Sequence, residues 1–256
     1  MRSSLMIPRD SAAEHVWRLR CDPNPEVEAL QPFVALFRDF AALGDAGAFA
    51  SPESGGAYCR MAVGAIRIAP GLLEAEVDVA NCDARYTRLL RNCVFARAET
   101  AQVPTSELIV EPGGRSLAVR ELRAHVAEPE VVAGTFYPEM PQYQVRIQKT
   151  VPPSYHSGRR VWVEAHKALA VETVNDLIER SILWGSVMVT AYPEQEEDLQ
   201  TGRTMILNVE PGQHDDFTFE VLIDRFLASE AAFVSLMNLL LVRVRRDGPI
   251  VAAFIE

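Results

Sequence analysis

The chain has 256 residues, 48% of them hydrophobic, with 35 acidic against 25 basic side chains and a formal net charge of −10. That length and apolar content support one large or two small folded domains and exclude disorder as the dominant state. The negative charge disfavours a nucleic-acid backbone as ligand and favours basic partners.

In chain order, Met1–Arg20 mixes charge with scattered apolar residues and lacks the apolar core of a secretory signal. With the turn signal Asp22-Pro23-Asn24-Pro25 it reads as an N-terminal extension, residues 1–25. A first α+β unit is expected over 26–125. It opens with a helix over Glu26–Leu43, whose stripe contains Val27, Leu30, Phe33, Val34, Phe37 and Phe40 and which Gly44 ends. After a polar turn at Ser51–Gly56, an extended run over Tyr58–Ala69 leads through Pro70-Gly71 into Leu73–Val79, where Leu73, Ala75, Val77 and Val79 alternate with acidic residues. This is a hairpin with a half-buried second strand. Asp83 is placed to cap a helix carrying Tyr86, Leu89, Leu90, Cys93 and Val94 on one face. A second hairpin follows over Leu108–Leu122, turning at Pro112-Gly113-Gly114.

Residues 126–159 read as a proline-bearing linker that includes an extended stretch at Tyr143–Thr150. The second unit, 160–256, repeats the first unit's grammar. A helix through Val171, Val174, Leu177, Ile178 and Ile182 ends at Trp184-Gly185, and strands are expected at Val187–Tyr192, Met205–Val209 and Phe217–Ile223. An apolar helix over Ala228–Val244 and a last strand, Ile250–Ile255, complete it. Gly44 to Gly71 and Gly185 to Gly212 are each 27 positions apart, and Ile68-Ala69-Pro70-Gly71 rhymes with Val209-Glu210-Pro211-Gly212. These features predict an internal duplication: an α+β fold of two similar helix, three-strand, helix, strand units with antiparallel sheets packed against helices.

Motifs for chemistry are sparse. The chain has no GxSxG elbow, no phosphate-cradling GxxxxGK[ST] loop and no GxGxxG turn. Cys21, Cys59, Cys82 and Cys93 form no CxxC or zinc-type spacing and read as reduced thiols. His214-Asp215-Asp216 falls in a predicted hairpin loop and reads as a solvated turn, because consecutive residues seldom converge on one ion. Glu194-Gln195-Glu196-Glu197-Asp198 reads as a hydrated acidic loop. No catalytic, cofactor or metal site is assigned, no window is apolar enough for a membrane span, and a cytoplasmic protein is expected. The Ala228–Val244 helix is apolar on more than one face, so it needs cover on two sides. That makes Phe233, Leu236, Met237 and Leu240 candidates for an interface, with burial inside the same chain as the simpler outcome.

The stretch Leu36-Phe37-Arg38-Asp39-Phe40-Ala41-Ala42-Leu43-Gly44, with Leu89-Leu90-Arg91-Asn92-Cys93 and the hairpin over Leu108–Leu122, resembles the bacterial type III secretion chaperones, small acidic proteins that hold effectors before export. The acidic isoelectric point of about 5.1 agrees with them. The resemblance covers about residues 30–125; the second unit is similar in layout only. Family members are about half this length and dimerise, so the resemblance implies a tandem pseudo-dimer in one polypeptide, acting as a monomer or a homodimer. It further implies a non-enzymatic binder that captures an extended segment of a partner protein, such as a secreted effector, through apolar grooves and strand addition. The candidate peptide-binding residues are then Phe33, Phe37, Phe40, Leu73, Val77, Leu89 and Leu90. An enzyme whose site is assembled from dispersed residues and an assembly subunit using the Ala228–Val244 helix are the alternatives.

Overall fold

The computed structural model describes residues 13–50, 59–82, 86–103, 105–112, 117–119, 147–149, 159–188, 208–224 and 230–255. The polar turn at Ser51–Gly56, the Asp83 cap, most of the 126–159 linker and the acidic run at Glu194–Asp198 lie outside them.

The first unit runs β1 (Ala13–Cys21), α1 (Gln31–Asp45), β2 (Arg60–Ala69), β3 (Leu72–Ala80), α2 (Tyr86–Ala101), β4 (Thr105–Pro112) and β5 (Leu117–Val119). Its sheet has the order β2-β3-β1-β4-β5, antiparallel throughout. After the short β6 (Ile147–Lys149), the second unit runs β7 (Arg159–Ala165), α3 (Val171–Met188), β8 (Asn208–Gln213), β9 (Thr218–Asp224), α4 (Glu230–Asp247) and β10 (Ile250–Ile255). Its sheet has the order β6-β10-β7-β9-β8, with β6 parallel to β10 and the other pairs antiparallel. Setting aside the short edge strands β5 and β6, both units follow the β-α-β-β-α-β order of the ferredoxin-like motif, with their four strands in the same spatial arrangement. The protein is an α+β fold of two similar units, each an antiparallel sheet packed against helices.

Each unit opens with a strand that the sequence reading did not assign. β1 is not part of an extension: it lies between β3 and β4, with Trp17 opposite Ala75 and Val110. β7 begins at the expected linker boundary and holds the same central place between β9 and β10. Both strands alternate, Trp17, Leu19 and Cys21 facing inward against outward Arg18 and Arg20, and Val161, Val163 and Ala165 inward against Arg160, Trp162 and Glu164. This period of two is the local signal for a half-buried strand.

Other differences are local. The first helix is split into a 3-10 turn over Val27–Leu30 and α1, with a proline in the first helical turn. Gly44 lies within α1 rather than ending it, because a Cβ there would come within 2.8 Å of the Met61 Cβ on β2. α3 continues past Trp184-Gly185 to Met188, so Val187 is helical, and the remainder of the expected Val187–Tyr192 strand lies outside the described residues. Gly71 sits in the β2–β3 turn at φ +71, whereas Gly212 lies inside β8 opposite Glu220. The duplication is therefore one of topology, and the 27-residue spacing does not join equivalent positions.

A single core spans both units. α1 packs on β2, β3, α2 and α3; α3 packs on β8 and α4; α4 packs on β7 and β10. The helices thus lie between the two sheets. Trp17, fully buried, meets Phe37 and Phe40 edge-on at 5.4 and 6.0 Å between centroids. Across the junction, Asn238 Nδ2 donates to Ala48 O at 2.9 Å and Arg180 Nη1 to Ala46 O at 3.3 Å. The turn after α1 reaches this junction through Gly47, at φ +104, where a Cβ would stand 2.8 Å from Val242 Cγ2. A glycine is required there by both backbone conformation and contact.

The reduced-thiol reading holds for two cysteines only. Cys21 and Cys93 are buried and not disulfide-bonded, while Cys59 and Cys82 form a disulfide across 23 residues of sequence. That pairing follows from the β2–β3 hairpin bringing its two ends together, which cysteine spacing does not encode.

Candidate binding surface

The expected groove residues are interior. Phe33, Phe37, Phe40, Leu73, Val77 and Leu90 have no exposed surface, and Leu89 is 5% exposed. The same inward stripes that predicted their elements turn them onto the shared core, so in this conformation they cannot contact a partner. Phe233, Leu236, Met237 and Leu240 are also buried. α4 is apolar all round because its own sheet covers one side while α3 and the turn after α1 cover the others. Phe233 additionally receives the Arg159 guanidinium over its ring, 4.7 Å from the centroid. These four residues form an interface within the chain.

His214-Asp215-Asp216 occupies the β8–β9 turn. Asp215 Oδ1 accepts the backbone N–H groups of Phe217 and Thr218, both at 2.8 Å, and these bonds hold its carboxyl below the usual range. His214 Nδ1 is 3.5 Å from Glu220 Oε1. The triplet closes a turn, and among the described residues no group of three or more His, Cys, Asp or Glu side chains is arranged to hold a metal ion. A titratable couple lies elsewhere: Tyr86 Oη stands 3.0 Å from His15 Nδ1. Burial pushes the Tyr86 phenol up to about 12 and holds His15 below 6.5, so near neutral pH both groups are neutral and share one hydrogen bond whose direction the imidazole tautomer sets.

With the helices between the sheets, each sheet turns its outer face away from the shared core, and the two outer faces differ. On each sheet an arginine of the first strand meets a glutamate of the neighbouring strand, Arg18 the residue directly opposite it and Arg160 one set diagonally, since Trp162 is the residue opposite Glu220. Arg18 Nε and Nη2 donate to Glu74 Oε2 at 2.8 Å, and Arg160 Nε and Nη2 donate to Glu220 Oε2 at 2.7 Å. On the first sheet this contact extends into an ion-pair lattice: Arg67 meets Glu74 and Glu76, and Arg20 meets Glu107. On the second sheet it borders aromatic surface. Trp162 on β7 stacks on its cross-strand neighbour Phe254 on β10, centroids 4.1 Å apart and planes at 16°. Arg160 lies over the Trp162 ring at 5.6 Å, and Leu222, opposite Arg160 on β9, is 42% exposed. Trp162 and Phe254 are both half-buried, and Trp162 Nε1 is itself buried without an acceptor among the described residues. Sequence reasoning missed this patch because it assigned no strand over β7; the alternation of Arg160, Trp162 and Glu164 was the signal available.

No family model matches the chain, and no curated protein matches it. A solved structure described as a Cas6 product complex aligns over 90% of this chain and 91% of its own at 12% identity, with a TM-score of 0.19. A likeness that slight carries no argument about fold or function. No helix among the described residues is long and apolar enough to cross a membrane.

Proposed function

We propose that this protein is a non-enzymatic protein-binding module that docks an extended segment of a partner on the outer face of its second sheet. The observation that supports this reading is the difference between the two outer faces: ion pairs join Arg18, Arg67, Glu74 and Glu76 on the first, whereas the second carries the half-buried Trp162–Phe254 stack beside Arg160 and exposed Leu222. A solvent-facing side of an antiparallel sheet is ordinarily polar. Tryptophan and arginine are the residue types that dominate binding energy at protein interfaces. The apolar groove expected from the chaperone resemblance is replaced in this reading by a flat aromatic platform, and the negative charge of the chain favours a partner segment with basic flanks.

A photo-crosslinking residue at position 222, with a second at Ile182 on the exposed side of α3 as control, identifies what the platform touches. The expected outcome is a protein captured at 222 and not at 182, whose affinity falls at least about tenfold on Leu222→Glu. Trp17 and Trp184 are fully buried, so binding should alter Trp162 fluorescence while leaving the other two tryptophans unchanged. Equal capture at both positions, or an affinity indifferent to Leu222→Glu, would overturn the proposal.

A further inference from the structure

Two of the four cysteines share one corner of the first sheet. Cys59 immediately precedes β2, and Cys82 stands two residues past the end of β3. Their Cα atoms are 5.3 Å apart, and the bond joins the open end of a hairpin whose closed end is the Pro70-Gly71 turn. Pairing of β2 with β3 from Arg60↔Ala80 to Ala69↔Leu72, together with a bridge between Ala50 and Cys82, holds the same corner through the backbone. The hairpin therefore does not depend on the sulfur–sulfur bond for its register.

Three observations distinguish this pair from a purely structural cross-link. Cys82 is only half-buried, while Cys59 is 5% exposed, so Cys82 is the more accessible residue of the pair. Cys82 Sγ also lies 3.4 Å from Ala80 O and 3.5 Å from Arg60 O, so the single S–H of the reduced thiol has a backbone acceptor within reach. Cys21 and Cys93 are buried, and burial pushes the Cys21 thiol up to about 11, away from the thiolate form that exchange requires. Of the four cysteines only Cys82 is partly exposed, which centres thiol chemistry on this corner.

We infer that Cys59–Cys82 is a reversible thiol–disulfide exchange site for a small thiol of the glutathione class. In the reductive direction a glutathione thiolate attacks Cys82 Sγ, forms a mixed disulfide with it, and expels the Cys59 thiolate, which takes a proton from water. A second glutathione thiolate attacks the glutathione sulfur of that mixed disulfide, releasing Cys82 as thiolate and then thiol. Two glutathione molecules are oxidised to one glutathione disulfide, and the protein disulfide gains two electrons and two protons. The inference is independent of the partner-binding reading.

The test uses the full chain equilibrated over a series of reduced-to-oxidised glutathione ratios, then acid-quenched, unfolded, alkylated and weighed intact. The expected result is a continuous shift from two alkylated cysteines, mapped to Cys21 and Cys93, to four as the ratio becomes reducing, with glutathione trapped on Cys82 in Cys59→Ser. Four alkylated cysteines at every ratio would show that the pair does not form, and two at every ratio would show an inert bond. Glutathione trapped on Cys21 or Cys93 would place the chemistry elsewhere. Because the unmodified chain carries the titration, failure of Cys59→Ser to fold would leave the inference testable.

Discussion

At the scale of single residues, burial and backbone conformation decide most of what can be predicted. His15 is held below its ordinary 6.5 by burial, with Tyr86 Oη on its Nδ1. Its folded value lies below its unfolded one, so the neutral ring contributes stability that is present above 6.5 and lost as pH falls through the folded value. His15→Gln should flatten that part of the acid limb in urea titrations, and Tyr86→Phe should cost about 1 kcal/mol by removing the hydrogen bond. Gly47, at φ +104 and against Val242, is the most constrained glycine at the junction of the units. Gly47→Ala should destabilise by about 1–3 kcal/mol. Adding Val242→Ala should recover the steric part and leave the backbone part, which a thermal-melt double-mutant comparison separates. No sequence pattern marks either site: His15 and Tyr86 are 71 positions apart and meet only in the folded chain, and Gly47 stands in an alanine-rich stretch with no turn signal of its own.

At the scale of elements, α3 and α4 are clamped by polar contacts as well as by packing. Arg243 Nε reaches Asp176 Oδ2 at 2.8 Å, its Nη1 reaches Asp247 Oδ1 at 3.1 Å, and its Nη2 donates to Thr173 Oγ1 at 2.7 Å. Thr173 in turn donates to Asp247, and Arg180 holds the other oxygen of Asp176 at 2.8 Å. Burial raises the Asp247 carboxyl, but the Thr173 and Arg243 hydrogen bonds and the charges of Arg243 and Arg246 outweigh it, and the group ends below 3.8. Its contribution is therefore present above 3.8 and lost as pH falls through the lower folded value. Arg243→Ala should cost about 1–3 kcal/mol at neutral pH, since it leaves two carboxylates short of a donor. Asp247→Asn should be less stable than the parent at neutral pH and approach it in acid, as read from urea midpoints. The helices themselves were legible from their apolar spacing. The clamp was not, because Asp176 and Arg243 are 67 positions apart in sequence and meet only when α3 packs on α4.

At the scale of the molecule, one core joins two units of the same topology, and the junction includes the buried Asn238–Ala48 hydrogen bond. Such a molecule should unfold as one cooperative body. Trp17 and Trp184, both fully buried, report from the two units separately. Coincident urea transitions in Trp17→Phe and Trp184→Phe variants are expected, and separated transitions would show that the units fold independently. The arrangement also underlies the proposed docking surface: with α1, α3 and α4 between the sheets, the outer face of the second sheet is left uncovered by helices.

The sequence by itself determined the α+β class, most helix and strand positions and the presence of two similar halves, because periodicity and turn residues act over a few neighbours. It also determined the solvated turn at His214-Asp215-Asp216, whose Asx-type hydrogen bonds are local. Only the tertiary structure decided that the phenylalanines and leucines expected in a groove are core, that α4 is covered by its own chain, that Cys59 meets Cys82, and that Trp162 stacks on Phe254. Each of these depends on contacts between distant segments. An apolar stripe specifies that a face must be buried and leaves open what buries it, and that choice is made when the helices of the two units pack together and turn their sheets outward.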